Sequence, residues 1–157
     1  MNATFTPPPQ TAFVAGTIVL TAEGAIPVEL LGPGDRIITR NTGIMKIGGI
    51  AFFRRFGDFV TIAAGSLGPQ MPQRDTVLAA DHPILLRGRL AMDASGQTSC
   101  LVAAVDLAQV LPEVTGLALL RGGEKKMVHL TLETNQIVYA DGLETLCAST
   151  TSAMTGA

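Results

Sequence analysis

Short apolar and β-branched runs, each cut off by glycine, proline or an acidic turn, set the rhythm of this chain. TIVLT at residues 17–21 is the first, closed by the turn AEGA at 22–25. IPVELL at 26–31 reads as a second extended piece, with Pro27 fitting an edge strand or a strand start. GPGD at 32–35 is a strong turn signal before the strand-like RIITR at 36–40. GIMKIGGIAFFRRF (43–56) and DFVTIAAGSL (58–67) continue in strand character, and their glycine pairs suit bulges or bends. QRDTVLAADHPILLRG (73–88) is an apolar strand interrupted at ADHP. At 126–146, Val128, Leu130 and Leu132 alternate with polar neighbours, and QIVYA follows after a turn, which predicts two clean strands.

Helical propensity extends over more than two turns only in CLVAAVDLAQVLP (100–112), and Pro112 limits it to one or two turns. Frequent short strands imply an all-β architecture. No long linker divides the chain, so one domain is expected over residues 11–147. Residues 1–10 form a proline-rich lead expected to be extended and poorly ordered, and the small-residue tail 148–157 is expected to fray.

Composition narrows the function classes. Of 157 residues, 47% are hydrophobic and 15% charged, enough apolar material for a core and too little charge for a disordered chain. A formal charge of −2 leaves no electrostatic footprint for nucleic acid, and the basic pairs Arg54–Arg55 and Lys125–Lys126 read as solvated surface charge. The opening MNATFTPPPQ has neither the basic flank nor the apolar run of a Sec leader, and no run reaches the roughly 18 apolar residues of a membrane span. A soluble chain in the cytoplasm is the default expectation, with non-Sec export left open and no membrane partner.

Candidate chemistry is sparse. Two histidines and two cysteines make neither a metal cluster nor a disulfide framework, and GPGD and RGG are too short and isolated to cradle phosphate, so no metal or cofactor is expected. His82 stands between Asp81 and Pro83 at the break of an apolar strand. It is either a packed ring satisfied by backbone, the commoner case, or an imidazole placed to polarise a peptide bond and protonate a leaving amide. His129 alternates with Val128 and Leu130 and is read as structural. Cys100 falls in the polar loop ASGQTSCL, and Thr11 and Thr17 carry unassisted hydroxyls, which are poor nucleophiles.

Taken together, Phe13, Gly16, Thr17, Ile18, Pro27, Val28, Glu29, Leu31, Pro33, Gly34 and Asp35, with Asp81-His82-Pro83 further on, make an ordered set. It resembles the Hint fold, the module shared by inteins and hedgehog autoprocessing domains, and is most similar to bacterial intein-like Hint proteins. GSLGPQMPQRDTVLAADHPILLRG, VAAVDLAQ and VHLTLETNQIVYADGLE add to the match, which covers residues 11–147. The resemblance implies an all-β, compact horseshoe of curved antiparallel strands, pseudo-twofold in layout, with at most one or two short helical turns.

It also implies a chemistry without cofactor. In that family a cysteine or serine at the start of the domain attacks the preceding carbonyl, and a histidine in a T-x-x-H block protonates the scissile amide. The substrate is the protein's own N-terminal flanking peptide. Carried onto this sequence, the nucleophile position falls on Ala12 and the hydroxyl of the T-x-x-H block on Ala79. His82 is retained, a second histidine position is taken by Asn135, and Asp141 matches an acidic position that could orient a proton donor. Cys147 lies near a downstream acceptor position, with a buried inert thiol preferred. Cleavage at Thr11–Ala12 is therefore expected to be absent or very slow. A non-catalytic interaction or assembly module on the same scaffold, holding a protein partner, is the alternative.

Overall fold

The computed structural model describes residues 11–149. The lead 1–10 and the rest of the tail, 150–157, lie outside the described residues. The chain is built from strands: β1 (Phe13–Val14), β2 (Ile18–Thr21), β3 (Gly24–Pro27), β4 (Arg36–Thr39), β5 (Gly43–Lys46) and the long β6 (Gly49–Ile62) come first. Then follow β7 (Thr76–Ala79), β8 (Pro83–Arg87), α1 (Gly88–Ser95), β9 (Ser99–Ala103), α2 (Leu107–Val110), β10 (Leu117–Thr131), β11 (Gln136–Ala140) and β12 (Leu143–Cys147).

Local chemistry sets the turns. The AEGA turn closes the β2–β3 hairpin, where Thr21 Oγ1 donates to the Gly24 carbonyl at 2.7 Å. Pro27 ends β3, the edge strand of its sheet, where its missing N–H is harmless. In GPGD, Gly34 takes a φ of 89° and the Gly32 N–H donates to Asp35 Oδ2 at 2.8 Å. The β11–β12 turn places both Asp141 and Gly142 at positive φ, 51° and 86°, as a tight two-residue hairpin requires.

Three local expectations are corrected. The run 26–31 is not extended throughout, because Val28–Leu30 forms a 3₁₀ turn that delivers Glu29 Oε1 to the Gly16 N–H at 2.7 Å. The helix α1 was not anticipated: Leu90, Ala91 and Ala94 turn inward, and Gly96 caps the end at φ 77°. Cys100 lies in β9 rather than a loop, because residues 99–103 pair with β8, while the expected one or two helical turns follow it as a 3₁₀ turn at Ala104–Asp106 and α2.

Two sheets result. One runs β1-β10-β6-β7, and an eight-stranded one runs β3-β2-β4-β11-β12-β8-β9 with β5 on β4. The long strands β6 and β10 pair antiparallel from Thr131↔Gly49 to Leu117↔Ile62, with two residues, Arg121 and Gly122, bulged against Asp58. One end of this ribbon carries Val128 and Leu130 into a core with Val19, Ile37 and Val138. Its other end carries Val60 and Ile62 into a second core with Leu78, Ile84 and Leu107. Each long strand thus serves both lobes, which matches the horseshoe that the resemblance implies. No helix among the described residues is long and apolar enough to cross a membrane.

Candidate functional site

Where the two lobes meet, a third and smaller cluster is buried: Ala12, Phe59, Ala79 and Met127, flanked by Val14, Phe53 and Val77. The topology explains the meeting. β1 lies on β10 through Phe13↔Val128 and Val14↔Met127, while Ala79 at the end of β7 lies opposite Phe59 of β6. Thr11 and Ala12 enter this junction fully buried, each 1% exposed. Both alanines that occupy catalytic positions by resemblance are therefore core residues here.

His82 sits beside them in the break between β7 and β8. Its N–H bonds the Ala79 carbonyl at 3.0 Å and its carbonyl accepts from the Ala104 N–H at 3.0 Å, so the turn is pinned on both sides. The ring stacks obliquely on Phe13, centroids 5.0 Å apart. Nε2 lies 2.9 Å from the Leu146 carbonyl. A carbonyl can only accept, so Nε2 carries the proton and Nδ1 of the neutral ring holds a lone pair. Nδ1 is buried and has no hydrogen-bond partner among the described residues. Burial pushes the imidazole down to about 4, against which the Leu146 and Ala12 carbonyls and Asp81 act upward. Neutral near pH 7, the ring stands within electrostatic reach of the Ala12 backbone.

The exit of the chain is held by the same region. Leu146 meets His82, the Ala148 N–H donates to Thr11 Oγ1 at 2.7 Å, and the Ser149 N–H donates to Asn135 Oδ1 at 2.6 Å. Ala148 and Ser149, expected in a fraying tail, are thus tied down, and Ser149 Oγ also donates to the Glu133 carbonyl. Asn135 is exposed in the β10–β11 loop, where it anchors the exit backbone. Cys147 is buried between Thr11 and Leu130, and burial pushes its thiol up to about 12, with the Thr11 side chain working the other way. A thiol so protonated is inert, as preferred on sequence grounds.

Asp141 is not brought to His82. Its carboxylate accepts from the Ile18 N–H at 3.1 Å, Arg74 Nε at 2.9 Å and Thr76 Oγ1 at 2.7 Å. It borders a cavity of about 250 Å³ with Gly16, Thr17 and Arg74, whereas Asn135 borders a separate one of about 490 Å³ with Arg40, Arg87 and Leu146. Arg74 also bonds the Gly16 carbonyl, so one arginine ties the Asp141 turn to the segment after β1. Nothing in the sequence around Arg74 signals that role, because its partners lie 58 and 67 residues away.

The all-β fold thus brings Thr11 and Ala148, near the two ends of the described residues, together beside a buried histidine. The chain belongs to the Hint domain family, whose family model matches residues 11–150. It is similar to the solution structure of a bacterial intein-like domain from Clostridium thermocellum, at 18% identity and a TM-score of 0.57, over 90% of this chain and 100% of that one. It is also similar to a DnaB intein from Synechocystis sp. PCC 6803, at 12% identity and a TM-score of 0.52, over 88% and 99% of the two chains. A splice-inactive variant of the AceL NrdHF class 3 split intein matches at 14% identity and 0.52, over 90% and 99%. At these identities the likeness is one of fold. Among curated proteins, none matches the sequence.

Proposed function

We propose that this chain is a Hint autoprocessing scaffold in which the acyl shift at the Thr11–Ala12 bond does not start. The observation that carries the reading is the burial of Ala12 and Ala79 in one apolar cluster with Phe59 and Met127. An acyl shift needs an electron pair on residue 12 to attack the Thr11 carbonyl carbon, and a methyl group has none. His82 remains as the amide polariser, whereas Asp141, held by Ile18, Arg74 and Thr76 apart from His82, fixes the segment after β1 rather than moving a proton at the bond. Ala79 and Asn135 stand where family members carry a hydroxyl and an imidazole. Replacement at three positions favours an eroded site over a single blocking change. The substrate class is the protein's own N-terminal flanking peptide, and the chemistry calls on no cofactor.

The test is a fusion of a reporter to the N-terminus, expressed as given and with Ala12→Cys, followed by intact-mass spectrometry. The unsubstituted fusion is expected to stay whole, and efficient cleavage before residue 12 would sink the eroded-site reading. Cleavage only after Ala12→Cys would show that His82 and its surroundings remain competent. A second reading, an interaction module on a degenerate Hint scaffold, is favoured by one observation, the edge of β6 that no strand among the described residues pairs beyond Phe59–Ile62.

A further inference from the structure

Among the described residues, no strand pairs with most of β6 on its outer side. It pairs with β10 along its length, but β7 covers it only from Phe59 to Ile62. Among the described residues, no backbone partner meets positions 49–57 from that side. Every second residue of an edge strand turns its N–H and C=O outward, so this stretch presents a row of open donors and acceptors. Phe52 and Phe56, on one face of it, are 54% and 75% exposed.

The two basic pairs read from the sequence as solvated charge meet here. Arg54 lies directly opposite Lys126, and Arg55 opposite Lys125. Like charges opposed across two strands destabilise the pairing. Residues 49–57 and their partners 123–131 hold Arg54, Arg55, Lys125 and Lys126 against Glu124 alone, an excess of three positive charges on a chain of formal charge −2. Glu124 reaches Arg54 at 3.0 Å and Asp81 reaches Arg55 at 3.2 Å, both in solvent, where such pairs contribute little.

We propose that the open edge of β6 binds an extended acidic and apolar peptide strand of a partner protein by strand addition. The peptide's backbone meets the open N–H and C=O groups, its carboxylates meet the cation cluster, and its apolar side chains cover Phe52 and Phe56. A second copy of the chain would bring Arg54 and Arg55 against their own kind. A nucleic acid would meet the cations and leave the strand edge unpaired. The inference does not rest on the Ala12 site, so it stands or falls apart from the autoprocessing reading.

The probe is a fluorescein-labelled synthetic peptide of about nine residues, the length of the open edge at ~3.3 Å per residue, alternating valine and glutamate. It is titrated with the 157-residue chain and read by fluorescence anisotropy. The comparisons are a valine–lysine counterpart, two versions N-methylated at every second amide in either phase, and a single-stranded oligodeoxynucleotide. The glutamate peptide is expected to bind, the lysine peptide to bind at least about tenfold more weakly, and one N-methylated phase to lose binding. Lys125→Glu with Lys126→Glu should weaken the glutamate peptide by about tenfold as well. Hydrogen exchange of the unsubstituted chain should show peptide-dependent protection within residues 49–57, which reads the site even if that variant does not fold.

Equal binding of both peptides, indifference to both N-methylation phases, or no binding overturns the proposal. Tighter binding of the oligonucleotide overturns it in favour of a nucleic-acid surface. A dimer of the free chain protected at 49–57 overturns it in favour of self-association.

Discussion

The Ala148 N–H donates to Thr11 Oγ1 across 2.7 Å, joining residues 137 positions apart at the two ends of the domain. Thr11 is buried, so removing its hydroxyl takes away the partner of the half-buried Ala148 amide. Thr11→Val is therefore expected to lower unfolding free energy by about 1–2 kcal/mol, while Thr11→Ser stays within about 0.5 kcal/mol. Urea denaturation of the three proteins checks this, and an unchanged midpoint for Thr11→Val would show that the chain ends are not energetically coupled.

A buried neutral imidazole binds fewer protons in the folded chain than in the unfolded one. His82 is held down to about 4 by burial, so between its ordinary value of 6.5 and 4 the unfolded state takes up the proton first. This contribution to stability is complete above pH 6.5 and is lost as pH falls through 4, amounting to about 3 kcal/mol in all. NMR titration of the ring should place its midpoint well below 5.5, alongside a fall in stability from pH 7 to 4. A ring titrating near 6.5 in the folded protein would contradict its burial.

Ala79→Thr tests whether the vacated hydroxyl position can be refilled. Alone, it buries a hydroxyl among Phe59, Met127 and Ala12 and should destabilise by about 1–3 kcal/mol. In an Ala12→Cys background the hydroxyl has a use, because it stands one turn from His82 beside the scissile bond. The double variant is expected to cleave at least about tenfold faster than Ala12→Cys alone, by gel densitometry over time. Equal rates would mean that residue 79 is now only a packing position.

Much of this architecture can be read locally. AEGA, GPGD and the break at ADHP each act through residues a few positions apart, and Val128, Leu130 and Leu132 show their buried face by period two. The helix α1 escaped because Gly88 and Ser95 dilute its short apolar face, and β9 because its strand identity comes from pairing with β8. In the site, His82 could be singled out by the motif, but its missing Nδ1 partner is a property of burial. The separation of Asp141 from His82 depends on Arg74 and Thr76, 67 and 65 residues before Asp141. The opposition of Arg54 to Lys126 is likewise a matter of register, invisible until the two long strands are aligned.

Gly142 supports the Asp141 turn by its lack of a side chain. It holds φ 86°, and a Cβ there would meet the Gln70 carbonyl at 2.7 Å and Gln73 Cγ at 2.8 Å. The first of these is backbone and cannot swing aside. Gly142→Ala should therefore destabilise by more than about 2 kcal/mol, combining left-handed strain with a steric clash. Gly24→Ala is the control, since its φ of 113° carries strain but its Cβ meets nothing within 4 Å. Comparable losses for both, measured by thermal melting, would remove the clash from the account.

The cross-strand opposition of Arg54 and Lys126 makes the opposite kind of prediction, a gain. The two cations are paired in register on the exposed middle of the ribbon, and Glu124 can neutralise only one of them at a time. Lys126→Glu turns that pair into an attractive one while leaving the Arg54–Glu124 contact in place. Stability should rise by about 0.5–1 kcal/mol at low salt, the usual range for replacing like by opposite charges across two strands. Because the site is exposed, the gain should shrink as added salt shortens the screening length from about 30 Å at 0.01 M to about 3 Å at 1 M. A melting temperature that rises equally at both salt concentrations would point to packing or strand propensity, and one that falls would mean the four cations are not in conflict. Only the salt-dependent gain agrees with a ribbon that carries uncompensated positive charge.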